Sequence, residues 1–143
     1  MKSNSTYIIT IDGTSGSGKT TISKSLAKKL SFSLLDSGKL YRSVGFVYSQ
    51  SKESFSNLYS IKGLISKITM SSNTDSNEFE ISFDNKKIDH LLYSEEVSES
   101  ASIVSKIPEV RECMMKVQKL CVKGRGLIAN GRDMGTEVFP EAN

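Results

Sequence analysis

Apolar and polar positions along this chain change period from one stretch to the next, and each period predicts an element. Residues 7–12, Tyr-Ile-Ile-Thr-Ile-Asp, are a short apolar run with β-branched side chains, stopped by glycine. That predicts a buried strand. From Thr20 the spacing becomes helical: Ile22, Leu26, Ala27 and Leu30 fall on one face, with lysines opposite. Residues 32–36 read as a second short strand, and residues 37–50 as a helix that Ser37 is placed to cap. Strand, helix, strand, helix is the alternation of a parallel sheet with crossover helices.

The middle of the chain changes character. Leu58, Ile61, Leu64, Ile65 and Ile68 keep helical spacing across 58–68, with Gly63 as a weak point. Residues 71–77 form a polar turn cluster. Phe79, Ile81 and Phe83 then alternate with Glu80, Ser82 and Asp84, which predicts a half-exposed antiparallel strand closed by a hairpin turn at 84–87. From Ser94 the period is helical again, through Val97, Ala101, Val104 and Ile107, and Pro108 is placed to open a further helix that Gly124 and Gly126 close. Residues 127–130 predict a third buried strand, and 131–143 a loop. The expected fold is therefore α/β with a parallel sheet, a core in two stretches (1–61 and 102–143) and an inserted antiparallel subdomain at 62–101.

Composition narrows the function classes. The 143 residues are 37% hydrophobic and 24% charged, as in an ordinary globular domain. The net charge of +3 is mild and spread out, which suits anionic ligands and predicts no nucleic-acid partner. No apolar run reaches membrane length and no signal-peptide core opens the chain, so no membrane partner is expected. Cys113 and Cys121 are expected on one helix about 12 Å apart, too far to bridge, and read as reduced thiols of a cytoplasmic protein. His90 is the single histidine, and the sequence offers no nucleophile–His–Asp triad and no metal-ligand cluster. Nothing in the chain demands a dimer, so a monomer is expected.

The chemistry concentrates between the first strand and the first helix. Gly13, Gly18, Lys19 and Thr20 match the spacing GxxxxGK[ST]. In such a loop the glycines let consecutive N–H groups turn inward on phosphate oxygens, and the helix opening behind it adds its positive end. Lys19 is placed to reach β- and γ-phosphates, and the Thr20 hydroxyl to ligate Mg2+. The plain alternative is a Gly/Ser-rich turn with a solvated lysine. The ATP-binding set is Gly13, Thr14, Ser15, Gly16, Ser17, Gly18, Lys19, Thr20 and Thr21.

Asp36, Ser37, Tyr41 and Arg42 follow the second strand, while Arg132 and Asp133 follow the third. Ligands of open α/β sheets gather outside the carboxyl ends of the strands, and arginine grips two phosphate oxygens at once. Plainer roles exist: Tyr41 in packing, Arg42 and Arg132 in ion pairs with Asp36 and Asp133, Ser102 as a small helix residue, Arg111 as a solvated cation.

The stretches IDGTSGSGKTT, LLDSGKLYR, ASIVSKIPEVRE and GLIANGRDMGTEVFPEA, with a serine nine residues before an arginine in the third, resemble the bacterial cytidylate (CMP/dCMP) kinase family of P-loop proteins. The resemblance spans essentially the whole chain and is weakest in its middle. It implies a three-layer P-loop core and transfer of the γ-phosphoryl group of ATP, with Mg2+, to CMP or dCMP. By the same resemblance Ser37, Tyr41, Arg42 and Arg132 surround the CMP phosphate, and Ser102, Arg111 and Asp133 recognise cytosine. Lys19, Arg42 and Arg132 are the implied catalytic residues. Thr14 stands where the family usually has proline, and Asn130 where it usually has aspartate. The family pattern also continues past Asn143 into core strands and an arginine-bearing lid, so the expectation is a truncated, poorly active chain. The competing expectations are a P-loop kinase of another small molecule and a nucleotide-binding module without transferase activity. No NKxD-type guanine motif is present.

Overall fold

The computed structural model describes residues 6–14, 17–73 and 75–143. Ser15 and Gly16 of the loop, residue 74 of the polar turn, and the Leu58 side chain lie outside what is described. The elements in order are β1 (Tyr7–Asp12), α1 (Lys19–Leu30), β2 (Ser33–Asp36), α2 (Ser37–Gln50), α3 (Leu58–Ile65), β3 (Ile68–Ser72), β4 (Phe79–Phe83), β5 (Lys86–Lys87), α4 (Glu95–Val104), α5 (Pro108–Lys119) and β6 (Gly126–Gly131). Short 3-10 turns at Lys52–Ser56 and Asp89–Leu91 and a π-helical turn at Met134–Val138 complete them. The chain divides into two compact units: Met1–Ser37, Ser72–Phe79 and Val117–Asn143 form one, and Gly38–Ser71 with Glu80–Lys116 the other.

The first unit is built on a parallel sheet in the order β1-β6-β2. Tyr7 to Asp12 pair in parallel with Gly126 to Gly131, and Ser33 to Asp36 with Leu127 to Asn130. The last strand in sequence therefore sits in the middle, and all six of its residues are buried. Such burial is why its stretch reads as continuous rather than alternating hydrophobicity. Ala27, Leu34 and Ile128 form one buried cluster of the core, with Ile9, Ile11, Leu26 and Phe32 packed against it. Each outer strand makes further bonds at one residue. Ile8 exchanges bonds with Asn143 (its carbonyl accepts at 2.9 Å, its N–H donates at 3.0 Å). On the far side Leu34 donates to the Asn77 carbonyl at 2.7 Å.

Helix α1 corrects one expectation. Its inward face is Ser23 and Ala27, whereas Ile22 is 59% exposed and Leu30 36%. Small residues let the helix sit close on the strands, and the Ser23 hydroxyl is satisfied inside its own helix by the Lys19 carbonyl at 2.6 Å.

In the second unit the sheet order is β3-β4-β5, with β4 and β5 antiparallel. Its hairpin turns on Asp84 and Asn85, both at positive φ (51° and 66°), the conformation a two-residue type I′ connection needs. The helix expected over 58–68 ends at Ile65, and Ile68 opens β3. Both isoleucines are buried, so one helical spacing concealed two elements. Helix α4 is capped by Ser94, whose hydroxyl accepts from the Val97 N–H at 3.1 Å, and Ile107 lies beyond its end. Pro108 opens α5 as expected. That helix stops at Lys119, so Cys121 is buried in the following turn rather than sharing the helix with Cys113. The expected C-terminal loop likewise contains the π-helical turn.

Candidate functional site

Strand β1 ends at Asp12, and the chain turns directly into the glycine-rich loop. Within it the Ser17 N–H donates to the Thr14 carbonyl at 3.2 Å, and Gly18, at φ 85°, leads into α1. The N-cap position is Gly18, which makes no side-chain cap bond to that helix start. The positive end of a three-turn helix there is a setting that favours an anion.

Lys19 occupies the centre of this arrangement. Its ammonium donates to the Gly13 carbonyl at 2.5 Å and to the Gly131 carbonyl at 3.3 Å. It is therefore no solvated loop lysine. It lies across the carboxyl ends of β1 and β6, held by two neutral acceptors that a phosphate oxygen would outbid. Thr20 and Thr21 are exposed in the first turn. Asp12, which the sequence did not single out, accepts from the Met134 and Gly135 N–H groups at 2.7 and 3.0 Å. Its carboxylate thereby anchors the segment that carries Arg132 and Asp133. An acidic residue immediately before the loop was the available signal.

Asp36 lies level with Asn130 across the β2–β6 pairing, and Ser37, buried, follows it. A Cβ placed on Gly131 would stand 2.7 Å from that of Ser37, so Ser37 adjoins the residue before Arg132. Arg132 and Asp133 are exposed, with Asp133 in the left-handed region at φ 56°. Asn130 is buried at 2% exposure, and its Oδ1 has no hydrogen-bond partner among the described residues.

The other expected residues belong to the second unit. Tyr41 and Arg42 are half-buried in the second turn of α2, Ser102 is exposed in the last turn of α4, and Arg111 is exposed in the first turn of α5. Arg42 is held by three neutral groups. Its Nη1 donates to the Ser98 hydroxyl at 2.6 Å and, at 3.5 Å, to the Leu92 carbonyl, and its Cζ lies 5.2 Å from the centre of the Tyr93 ring.

A family model described as cytidylate kinase matches residues 9–143. The chain belongs to the cytidylate kinase family. It is 37% identical over 135 residues to a cytidylate kinase of Mannheimia succiniciproducens, covering 94% of this chain and 60% of the relative. It is 39% identical over 137 residues to a cytidylate kinase of Azotobacter vinelandii, with the same two coverages. Cytidylate kinase 2 of Haemophilus influenzae is 38% identical over 135 residues, covering 94% of this chain and 61% of that protein. The chain thus spans about 60% of the length of the curated relatives it matches. Membership carries with it the expected α/β class, which the parallel sheet bears out. Among the described residues, no helix is long and apolar enough to cross a membrane.

Proposed function

We propose that the protein is a cytidylate kinase that moves the γ-phosphoryl group of ATP to CMP or dCMP, giving ADP and CDP or dCDP. The observation that carries the reading is Lys19, held on the carbonyls of Gly13 and Gly131 at the head of α1, in a chain of this family. In this reading the residues from Gly13 to Thr21 take the phosphates of ATP. Ser37, Tyr41, Arg42 and Arg132 take the acceptor phosphate, and Ser102, Arg111 and Asp133 the cytosine ring.

The acceptor oxygen of CMP is already anionic, so no general base is required. The protein's work is to align donor and acceptor and to offset their mutual repulsion, which lysine and arginine do from fixed positions. Among the described residues no group of three or more His, Cys, Asp and Glu gathers to hold a metal. The neutral oxygens available, the Thr20 hydroxyl and the orphaned Asn130 Oδ1, fit Mg2+ that keeps phosphate and water as most of its ligands. Bound with ATP, Mg2+ neutralises charge on the β- and γ-phosphates, and Thr20 is the residue assigned to hold it. The partners are small nucleotides. The unpaired thiols of Cys113 and Cys121 suit a reducing, cytoplasmic setting.

The test is calorimetry with Mg2+–ATP and with CMP, alongside an assay of CDP formation, on the wild-type protein and Lys19→Ala. The wild type is expected to bind both nucleotides, and the variant to lose on the order of 100-fold in transfer rate, as for removal of a preorganised charge-stabilising donor. Absence of CMP and dCMP binding to the wild type would end the reading.

A further inference from the structure

Arg42 is half-buried, yet among the described residues of its unit no carboxylate pairs with it. A partly desolvated guanidinium is costly unless its donors are met. Here they are met on one side only. Nη1 takes the Ser98 hydroxyl at 2.6 Å and the Leu92 carbonyl at 3.5 Å, while the Tyr93 ring lies 5.2 Å from Cζ. All three groups are neutral, so they fix the side chain without cancelling its charge. The edge formed by Nε and Nη2 has no partner among the described residues, and that edge is a fork matched to two phosphate oxygens.

We infer that Ser98 and Tyr93 are positioning residues that hold Arg42 with its Nε–Nη2 edge turned to the acceptor phosphate. The inference rests on the reading of Arg42 as a CMP-phosphate ligand. Ser98 also stands one turn, about 6 Å of helix rise, before Ser102 on α4. The same helix therefore anchors the phosphate-gripping arginine and carries the proposed cytosine contact, so that base and phosphate are gripped from one rigid element.

The test is titration of CMP and of cytidine, which lacks the phosphate, into the wild type, Ser98→Ala, Ser98→Thr, Arg42→Ala and the Ser98→Ala/Arg42→Ala double variant. Ser98→Ala removes one hydrogen bond to a charged group from a helix that alanine favours, so the fold is retained. CMP is expected to bind it about tenfold more weakly, with cytidine unchanged, and Ser98→Thr is expected to restore wild-type affinity. In the Arg42→Ala background the Ser98 substitution is expected to add nothing. Tyr93→Leu is expected to lose about threefold. If the wild type binds CMP while Ser98→Ala binds it equally, or loses CMP and cytidine alike, the inference falls and the cytidylate reading stands. If the wild type binds no CMP, both fall together.

Discussion

Cys121 shows how a single side chain reports its surroundings. It is 2% exposed in the turn after α5, and burial raises its thiol from an ordinary 9.0 to about 11, opposed weakly by Lys123. Burial penalises the thiolate, so the folded chain keeps this proton to higher pH than the unfolded chain does. The contribution to stability is whole below about pH 9 and drains away as pH climbs towards 11. Urea midpoints measured from pH 8 to 11 are expected to fall more steeply for the wild type than for Cys121→Ala. Equal slopes would contradict the assignment. Lys19, by contrast, was legible by type and spacing, but its resting place was not. That the ammonium bridges Gly13 and Gly131 depends on two strand ends 118 positions apart in the chain lying side by side (131 − 13 = 118). Asp12 went unread for the same reason, because its partners are the N–H groups of Met134 and Gly135.

At the scale of elements, period and punctuation carried most of the information. Strand β1, helix α2 and the start of α5 coincide with their expected bounds, since each has either an unbroken apolar run or a sharp terminal signal. Errors fell where two elements share a spacing, as at Ile65 and Ile68, or where small residues face inward, as in α1. The second unit contains a packing of the latter kind between α2 and α4. A Cβ on Gly45 would stand 2.6 Å from the Ala101 backbone nitrogen and 2.9 Å from the Val97 carbonyl oxygen. Both obstacles are helix backbone and cannot swing aside. Gly45→Ala is therefore expected to lower stability by about 2 kcal/mol despite alanine's better helix propensity, as overpacking does. Chemical denaturation decides it: an unchanged or raised midpoint would mean the two helices separate freely.

At the scale of the molecule, the proposed ligands sort by unit. The described loop residues, Ser37, Arg132 and Asp133 belong to the first, and Tyr41, Arg42, Ser102 and Arg111 to the second, so the ATP set lies in one unit and the CMP set draws on both. Hydrogen exchange is expected to register this distribution. Mg2+–ATP should slow exchange by about tenfold or more in the described part of residues 12–23, whereas CMP should protect 37–50, 92–112 and 130–135. Protection by CMP confined to the loop would contradict the assignment of Arg42, Ser102 and Arg111.

The linear order of residues determined what is local. A phosphate loop between a β-branched strand and a helix, the alternation that makes a hairpin, and proline at a helix start all act within a few positions, through backbone sterics and side-chain period. Tertiary structure alone decided that β6 slots between β1 and β2, that Lys19 lies across two strand ends, and that Arg42 is gripped by neutral groups on one side only. Those arrangements join segments far apart in the chain, and their free energy comes from burial and hydrogen bonding that exist only once the segments have met.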